Sequence, residues 1–409
     1  KTGKLIHSKI DTDTIQNNGD LTIESGYITA AKIGVLNNAG STFTMNGGAI
    51  ESTSYGIYNA GENNNRVTTV INDGIVSGGS YGIYSGSYSD ISLLSGTVKS
   101  KITGVHLSNY ATLTIDGGNV EIDNEATLNN KLISGVDGTA NSTVTFRSGN
   151  IRVTDRSTGF DGMSDEHCTN GINGSKITMS GGNIDVKIIR ASVSKYFTAF
   201  GIRRFASLSF SGGNINVDAT ESTAQTRLRG YGIASYTDKT LFTISDGIIN
   251  VKAPNNTTGI YVYSSSSDST ISNMQVTATT MTASGEARGI YAHGDLTISS
   301  GNIITANASQ STANGIYVES GRTTVIGGKI SGDTHGIFTG TSGYATIGDD
   351  SNAIEIATPE IIGGSYALYG NSFNYYDGTL RGGVKAYQDS TIKAIADGSA
   401  FHSERQTVD

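Results

Sequence analysis

The 409-residue sequence contains no tryptophan, one cysteine and two prolines. The single cysteine, Cys168, excludes an internal disulfide, and this scarcity of thiols is compatible with an extracellular protein as well as with a cytosolic one. With two prolines beside 54 glycines, the chain is neither collagen-like nor a proline-rich stalk. No run of about 18 apolar residues is present, so the sequence predicts no insertion into a membrane.

Charge is also sparse and is biased toward acidic residues. Asp and Glu number 36 against 28 Lys and Arg, which gives a formal net charge of -8. This balance disfavours general binding of nucleic acid, because phosphates attract basic surfaces. The chain starts at Lys1 without a signal peptide, which we interpret as a mature product or a piece of a longer protein. We expect an extracellular location, either secreted or at a cell surface.

What the sequence has in abundance is a repeat. The stretch LTIESGYI at 21–28 returns as FTMNGGAI at 43–50, LTIDGGNV at 113–120 and ITMSGGNI at 177–184. Self-similarity at a spacing of tens of residues is typical of a solenoid. One position near the end of each copy serves as an anchor, and the anchors are Gly26, Gly48, Gly74, Gly96, Gly118, Gly149, Gly182, Gly213, Gly247, Met274, Gly301 and Gly328.

Apolar residues stand at fixed distances from each anchor, as Ile23 and Ile28 do around Gly26. A Gly-Ile or Gly-Val pair, such as Gly82-Ile83, closes each copy. The alternation predicts half-buried strands, and the glycine permits a sharp bend between them. The apolar columns are buried only if the copies stack on one another. The sequence therefore predicts an all-β fold, a single-stranded parallel β-helix of about 12–14 turns with three short strands per turn.

This arrangement resembles the right-handed parallel β-helix of pectate-lyase-like proteins, a superfamily of polysaccharide lyases, glycosidases, tailspikes, autotransporter passengers and surface adhesins. The segment FNYYDGTLRG at 373–382 resembles a short motif in large repeat-built surface proteins of Gram-positive gut bacteria. The resemblance implies a right-handed coil and a bacterial surface adhesin or passenger-type repeat protein. Because many activities share this fold, the fold alone does not select one of them.

The spacing of the copies suggests the organisation of the chain. Residues 1–19 lack the full repeat and are predicted to form an N-terminal cap or edge turn. Residues 20–350 form the β-helix, and 351–409 form terminal turns with a C-terminal cap or tail. Extra length falls between an anchor and the next Gly-Ile pair, as insertion loops at about 121–134, 153–170, 186–200 and 217–231. Insertions in a repeat scaffold gather on one face and often carry the binding site.

Acidic residues are dense in the insertion at 153–170. Asp155, Asp161, Asp165 and Glu166 offer oxygen ligands of the kind that calcium prefers. The alternative is an ordinary solvated loop, because the spacing matches no EF-hand. The sequence predicts no other cofactor.

Basic residues follow in the next copies. Arginine clamps carboxylate or sulfate groups in a bidentate manner, so an acidic polysaccharide is a candidate ligand. A polysaccharide lyase or hydrolase acting through these basic middle loops is the alternative function. The competing interpretation is that the cations pair with the acidic residues of the neighbouring loop. The residues are Lys187, Arg190, Lys195, Arg203, Arg204, Arg227 and Arg229.

Tyrosines recur directly after the inward Ile of the closing pair, and period two turns them outward. Stacked one per turn, they offer a stripe for sugar rings or for another protein. Alternatively, the rings stack on each other and stabilise the ladder. These residues are Tyr58, Tyr84, Tyr261, Tyr291 and Tyr317.

The pattern as a whole favours a non-enzymatic extracellular β-helix, namely a surface adhesin, passenger or filament subunit. Its expected partner is a glycan or a surface protein of a host or a bacterium. Exposed terminal turns present open strand edges, so head-to-tail self-assembly is a variant of the same hypothesis.

Overall fold

A computed structural model describes residues 4–7, 13–124, 132–156, 167–189, 197–220, 228–236, 242–264, 269–348, 358–370, 372–388, 392–394 and 402–405. Within these residues every regular element is a β-strand, and no helix is long and apolar enough to cross a membrane. The chain forms two compact units. Unit 1 comprises Lys1–Ser207 with Glu221–Thr223, and unit 2 comprises Leu208–Thr220 with Ala224–Asp409.

Unit 1 is a parallel β-helix with three sheets, named faces A, B and C by their position in the repeat. Face A consists of Asp13–Asn17, Ile33–Asn38, Tyr55–Ala60, Tyr81–Ser85, Thr103–Leu107, Leu132–Gly138, His167–Asn173 and Phe197–Arg203. Face B consists of Asp20–Ile23, Thr42–Met45, Val67–Ile71, Ser89–Leu93, Lys176–Met179 and the first parts of Thr112–Asn124 and Thr143–Asp155. Face C consists of Lys4–His7, Tyr27–Ala30, Ala49–Ser52, Ile75–Gly78, Thr97–Ser100, Asn183–Ile188 and the second parts of the same two long strands.

Unit 2 repeats the same three faces. Face A consists of Leu228–Ala234, Thr257–Ser264, Glu286–Gly294, Tyr366–Gly370, Lys385–Gln388 and the first parts of Thr312–Val325 and His335–Ile347. Face B consists of Ser207–Phe210, Leu296–Ile298, Phe373–Tyr375, Ile392–Ala394, the first parts of Phe242–Ala253 and Thr270–Thr280, and the ends of Thr312–Val325 and His335–Ile347. Face C consists of Asn214–Asp218, Ile303–Ala308, Lys329–Gly332, Glu360–Gly363, Thr379–Gly382, His402–Arg405 and the second parts of Phe242–Ala253 and Thr270–Thr280.

The predicted apolar columns form the core of each unit. On face C of unit 1, Ile28 pairs with Ile50, Ile50 with Val76 and Val76 with Val98, and all four side chains are buried. Equivalent positions in successive turns therefore lie directly above one another, about 4.8 Å apart. The predicted all-β parallel β-helix is confirmed.

Glycine is required at both of its repeated positions for different reasons. The anchor Gly48 has φ +87°, a conformation that side chains with a Cβ rarely adopt. Gly82, on face A, lies close to the next turn. A Cβ there would approach Val98 Cγ1 to 2.4 Å and the Gly104 carbonyl oxygen to 2.8 Å.

The sequence prediction is wrong in register at one copy. Ile303, two residues after Gly301, is exposed, and Ile304 occupies the buried column instead. The bend at this copy holds one extra residue, Asn302, which is buried and accepts a hydrogen bond from the Met274 backbone N–H at 3.0 Å. The apolar strand after the bend is therefore displaced by one residue.

A buried polar ladder runs through the first turns of unit 1. Asn17 Nδ2 donates to Asn37 Oδ1 at 3.1 Å, and Asn37 Nδ2 donates to Asn59 Oδ1 at 2.9 Å. Thr69 Oγ1 donates to the same Asn59 oxygen at 3.0 Å. Asn17 and Asn37 each donate to the amide one turn away, which lowers the desolvation penalty of burying them, whereas Asn59 Nδ2 at the end of the ladder has no hydrogen-bond partner among the described residues.

Phe146 fills the face-B column of unit 1 and is fully buried, whereas its neighbour Thr145 points outward. We expect Phe146→Ala to lower the free energy of unfolding by about 3–5 kcal/mol, because it leaves a cavity that stacked turns cannot close. Thr145→Ala, the control, should change it by less than about 0.5 kcal/mol. Urea titration followed by circular dichroism measures both, and equal losses would contradict the assigned faces.

Candidate functional site

The predicted tyrosines stack on one another in unit 1. Tyr58 and Tyr84 lie outward on face A with ring centroids 5.0 Å apart and planes 15° from parallel. His106 continues the stack 4.8 Å from Tyr84. Its Nδ1 lies 3.1 Å from Asp137 Oδ2, so the aromatic column passes into a polar one.

The stack is longer in unit 2. Tyr261 and Tyr291 have centroids 4.8 Å apart, and Tyr291 and Tyr317 lie 5.2 Å apart. Phe338 follows 4.9 Å from Tyr317, and Tyr369 lies 5.2 Å beyond Phe338. Because neighbouring rings cover each other's faces, the column offers mainly its edges and hydroxyls to solvent. The predicted stripe is therefore a ladder whose inner rings cannot also stack flat on sugars.

The hydroxyls of this column stay protonated at neutral pH. Burial raises the pKa of Tyr291 to about 12, with the nearby Glu319 carboxylate adding to the effect. Burial also raises the pKa of Tyr317, and its O–H donates a hydrogen bond to Glu319, which raises that pKa further. Burial likewise raises the pKa of Tyr261. These tyrosines are therefore hydrogen-bond donors throughout the physiological range.

A second outward column accompanies the aromatic one on face A of unit 2. Arg288 pairs in register with Asn314, Asn314 with His335 and His335 with Tyr366. Sequence reasoning missed this column. Arg288, Asn314 and His335 each directly precede the glycine of a closing pair, and Tyr366 precedes Ala367 at the equivalent position. Strict alternation from the inward Ile290 would turn Arg288 inward, but Gly289 and Ile290 are both buried, so the alternation is interrupted there and Arg288 lies outward.

The polar column packs tightly against the aromatic one. The Arg288 guanidinium lies 5.1 Å from the centre of the Tyr291 ring and 5.0 Å from that of Tyr317, within the range of cation–π attraction. Its Nη2 pairs with the Glu286 carboxylate. Its Nε is buried and has no hydrogen-bond partner in the part of the chain that the structure describes.

His335 occupies the middle of this surface. Its ring stacks on Tyr369 at 4.4 Å, and its Nδ1 lies 2.8 Å from Asn314 Oδ1. Burial lowers the pKa of His335 to about 4, so the ring is neutral at pH 7. The neutral ring donates its Nδ1–H to the Asn314 oxygen.

The two columns line a depression of about 460 Å³, which we name the aromatic groove. Rings form its walls, and an arginine, an amide, an imidazole and hydroxyls supply donors and acceptors. Its lining residues are Glu286, Arg288, Thr312, Asn314, Tyr317, His335, Phe338, Ser365, Tyr366 and Tyr369.

The predicted calcium ligands are only partly described. Asp155 is fully buried, and its Oδ2 lies 3.0 Å from His167 Nε2 and 2.7 Å from the Thr169 hydroxyl. Asp161, Asp165 and Glu166 lie outside the described residues. Among the residues that are described, no group of three or more His, Cys, Asp or Glu could hold a metal ion. Calcium binding by this insertion stays a prediction.

The predicted basic cluster is also only partly described, since Arg190, Lys195 and Arg227 lie outside the described residues. Arg203 ends a face-A strand of unit 1 and is buried, with its guanidinium 4.6 Å from the centre of the Phe200 ring. Arg204 follows it with φ +52°. Arg229 lies in the face-A strand Leu228–Ala234 of unit 2. Arg203 is thus a packed strand residue rather than a cation on an insertion.

Comparison with known proteins adds no relative, since no protein-family model, no curated protein and no solved structure matches the chain. The parallel β-helix is established by the strand pairing itself. Function has to be argued from the sites, because the fold does not determine it.

Acid should weaken the fold through His335. Its pKa of about 4 lies below the usual 6.5 of the unfolded chain, so the unfolded state binds a proton first as pH falls. The contribution of the neutral ring is complete above about pH 6.5 and is lost between that pH and about 4. We expect the Tm of the wild type to fall more steeply across this window than that of His335→Gln. Parallel curves of Tm against pH for the wild type and His335→Gln, or an NMR titration midpoint of His335 near 6.5, would contradict this prediction.

Proposed function

We propose that the chain is a non-enzymatic extracellular β-helix of a bacterial surface adhesin or passenger-type protein, which recognises a glycan through the aromatic groove of unit 2. The observation that carries this proposal is the pair of outward columns in register, one aromatic and one polar, that line a single groove. Binding sites of this kind combine apolar walls with a few fixed polar groups.

The chemistry of the groove suits a sugar better than an apolar ligand. Sugar rings present apolar C–H faces and many hydroxyls, which match ring edges and neighbouring hydrogen-bonding groups. The unpartnered Nε of Arg288 is a donor that a bound hydroxyl would satisfy. Tyr366, at the end of the polar column, supplies an aromatic wall that is only partly buried.

The scaffold would also favour affinity. Every lining residue except Ser365 lies in a strand of unit 2 that pairs with its neighbours. Groups held by paired strands lose little conformational freedom when a ligand binds, so less of the interaction energy is spent on ordering them.

A polysaccharide lyase or hydrolase remains the alternative. Of its proposed residues, Arg203 is buried against Phe200, which leaves it poorly placed to clamp a substrate carboxylate. Incubation of the chain with pectate, alginate and glycosaminoglycans separates the two hypotheses. Turnover that disappears in Arg204→Gln or Arg229→Gln would favour the enzyme.

Head-to-tail assembly of copies is a compatible variant of the adhesin proposal. Among the described residues, Lys4–His7 pairs on one side only, with Tyr27–Ala30. Backbone groups of a strand that pairs on one side only are available to a strand of a second copy. Electron microscopy of native material distinguishes filaments from separate particles.

Binding assays on the full chain test the aromatic groove. We expect one or more soluble polysaccharides from a panel of neutral and acidic glycans to bind in isothermal titration calorimetry. Arg288→Gln and Tyr366→Ala should each weaken binding at least tenfold, a loss of about 1.4 kcal/mol or more. Tyr110→Ala removes an exposed tyrosine of unit 1 and is the matched control, with unchanged affinity.

Two results would contradict the proposal. One is that no glycan in the panel binds to the wild-type chain. The other is that a bound glycan is held equally well by the wild type, Arg288→Gln and Tyr366→Ala, which would place recognition elsewhere.

A further inference from the structure

Unit 1 carries a second, separate depression of about 900 Å³ at the corner between faces C and A. We name it the corner groove. Its floor is formed by three successive tight corners at 51–53, 77–80 and 99–102, and its end wall by Asp123, Asn124 and Arg156. Three steps between turns make it about 14 Å long, which suits a short oligosaccharide.

The groove exists because the coil widens abruptly at this point. The strand Thr97–Ser100 ends at Ser100, which pairs with Ile122 of the next turn. The next strand continues to Asn124, and its last two residues pair only with the turn on their other side, at Thr154 and Asp155. Asp123 and Asn124 therefore form a ledge with no paired strand on the groove side among the described residues.

Asn124 is unusual within this ledge. Its side chain is fully buried, and neither Nδ2 nor Oδ1 has a hydrogen-bond partner in the described part of the chain. Its neighbour Asp155, one turn away, bonds to His167 and Thr169 instead. A buried side-chain amide whose nitrogen and oxygen both lack a hydrogen bond is rare and requires an explanation, because unpaired buried polar groups destabilise the folded state.

The remaining lining restricts the class of ligand. Lys99 Nζ lies 3.3 Å from Glu121, and Arg156 pairs with Asp123. The other charged lining residues are Lys101 and Glu51, so acidic and basic groups balance around the groove. This disfavours an anionic ligand. The floor consists mainly of serine, threonine and glycine, which disfavours an apolar side chain or lipid. A neutral, hydrogen-bonding ligand fits the lining best.

An amide presents a donor and an acceptor side by side. We propose that the corner groove binds a neutral oligosaccharide bearing acetamido groups. An acetamido carbonyl oxygen, which is a stronger acceptor than a hydroxyl, accepts from Asn124 Nδ2, and a hydroxyl of the sugar donates to Asn124 Oδ1. The acetamido group reaches Asn124 by displacing the Arg156–Asp123 ion pair. Both side chains of that pair are substantially exposed, so their attraction is screened by solvent and weak. This inference is independent of the aromatic groove, which lies in the other unit.

The test compares oligomers of N-acetylglucosamine with glucose oligomers of equal length, using calorimetry on the full chain. We expect the acetylated oligomer to bind at least tenfold more tightly. Asn124→Leu should abolish this preference and raise Tm by about 2–4 °C, because it removes an unpaired buried amide of similar size. Asp123→Ala should strengthen binding by opening the wall, and Tyr366→Ala should leave it unchanged.

The proposal is overturned if the wild type does not distinguish the two oligomers, or if Asn124→Leu retains the preference. A fall in the Tm of Asn124→Leu would show that the amide serves the fold, and weaker binding by Asp123→Ala would show that the ion pair contacts the ligand directly. Either result rejects the mechanism. Loss of binding in Tyr366→Ala alone would assign the sugar to the aromatic groove.

Discussion

The in-register stacking of equivalent residues is the constraint on which the rest of each unit depends. When Ile50 lies on Ile28 and Val76 on Ile50, every other position of those strands is fixed as well, since a shift of one residue would turn the apolar side chains toward water. A column once established inside therefore creates a matching column outside. The aromatic groove is a direct consequence, because Arg288, Asn314 and His335 are brought together only by this register.

Stacking also decides what the outward aromatic residues can do. Rings in successive turns are about as far apart as the strands themselves, so they cover each other's faces. Tyr291 and Tyr317 are consequently structural rings that present hydroxyls, and Arg288 packs against both. Recognition then depends on groups beside the ladder, where the polar column supplies donors and acceptors, and on the ends of the coil.

Much of the fold could be predicted because single residue types recur at fixed spacing along the chain. The anchor glycines, the inward Ile and Val columns and the outward tyrosines all follow from periodicity. The one-residue shift at Ile303 could not be predicted. Asn and Gly both occur in bends, so the sequence does not show that Asn302 adds a residue to the bend and accepts a hydrogen bond from Met274. The burial of Arg203 against Phe200 and the Asp155–His167 pair could not be predicted either, because periodicity does not show how side chains pack at the end of a strand or across a corner of the coil. The polar column could not be predicted from alternation, because Arg288 lies outward although it is two residues from the inward Ile290. Its role also depends on cross-turn contacts that no single copy contains.

Disulfide trapping in unit 2 tests the stacking register most directly. In a Cys168→Ser background, Thr297→Cys with Thr324→Cys joins neighbouring turns about 4.8 Å apart, whereas Thr270→Cys with Thr324→Cys spans two turns, about 9.6 Å. A disulfide forms without backbone movement only when the two Cα atoms are within about 7 Å. We predict rapid oxidation of the first pair and none of the second. Cross-linking of the second pair in preference to the first would contradict this prediction.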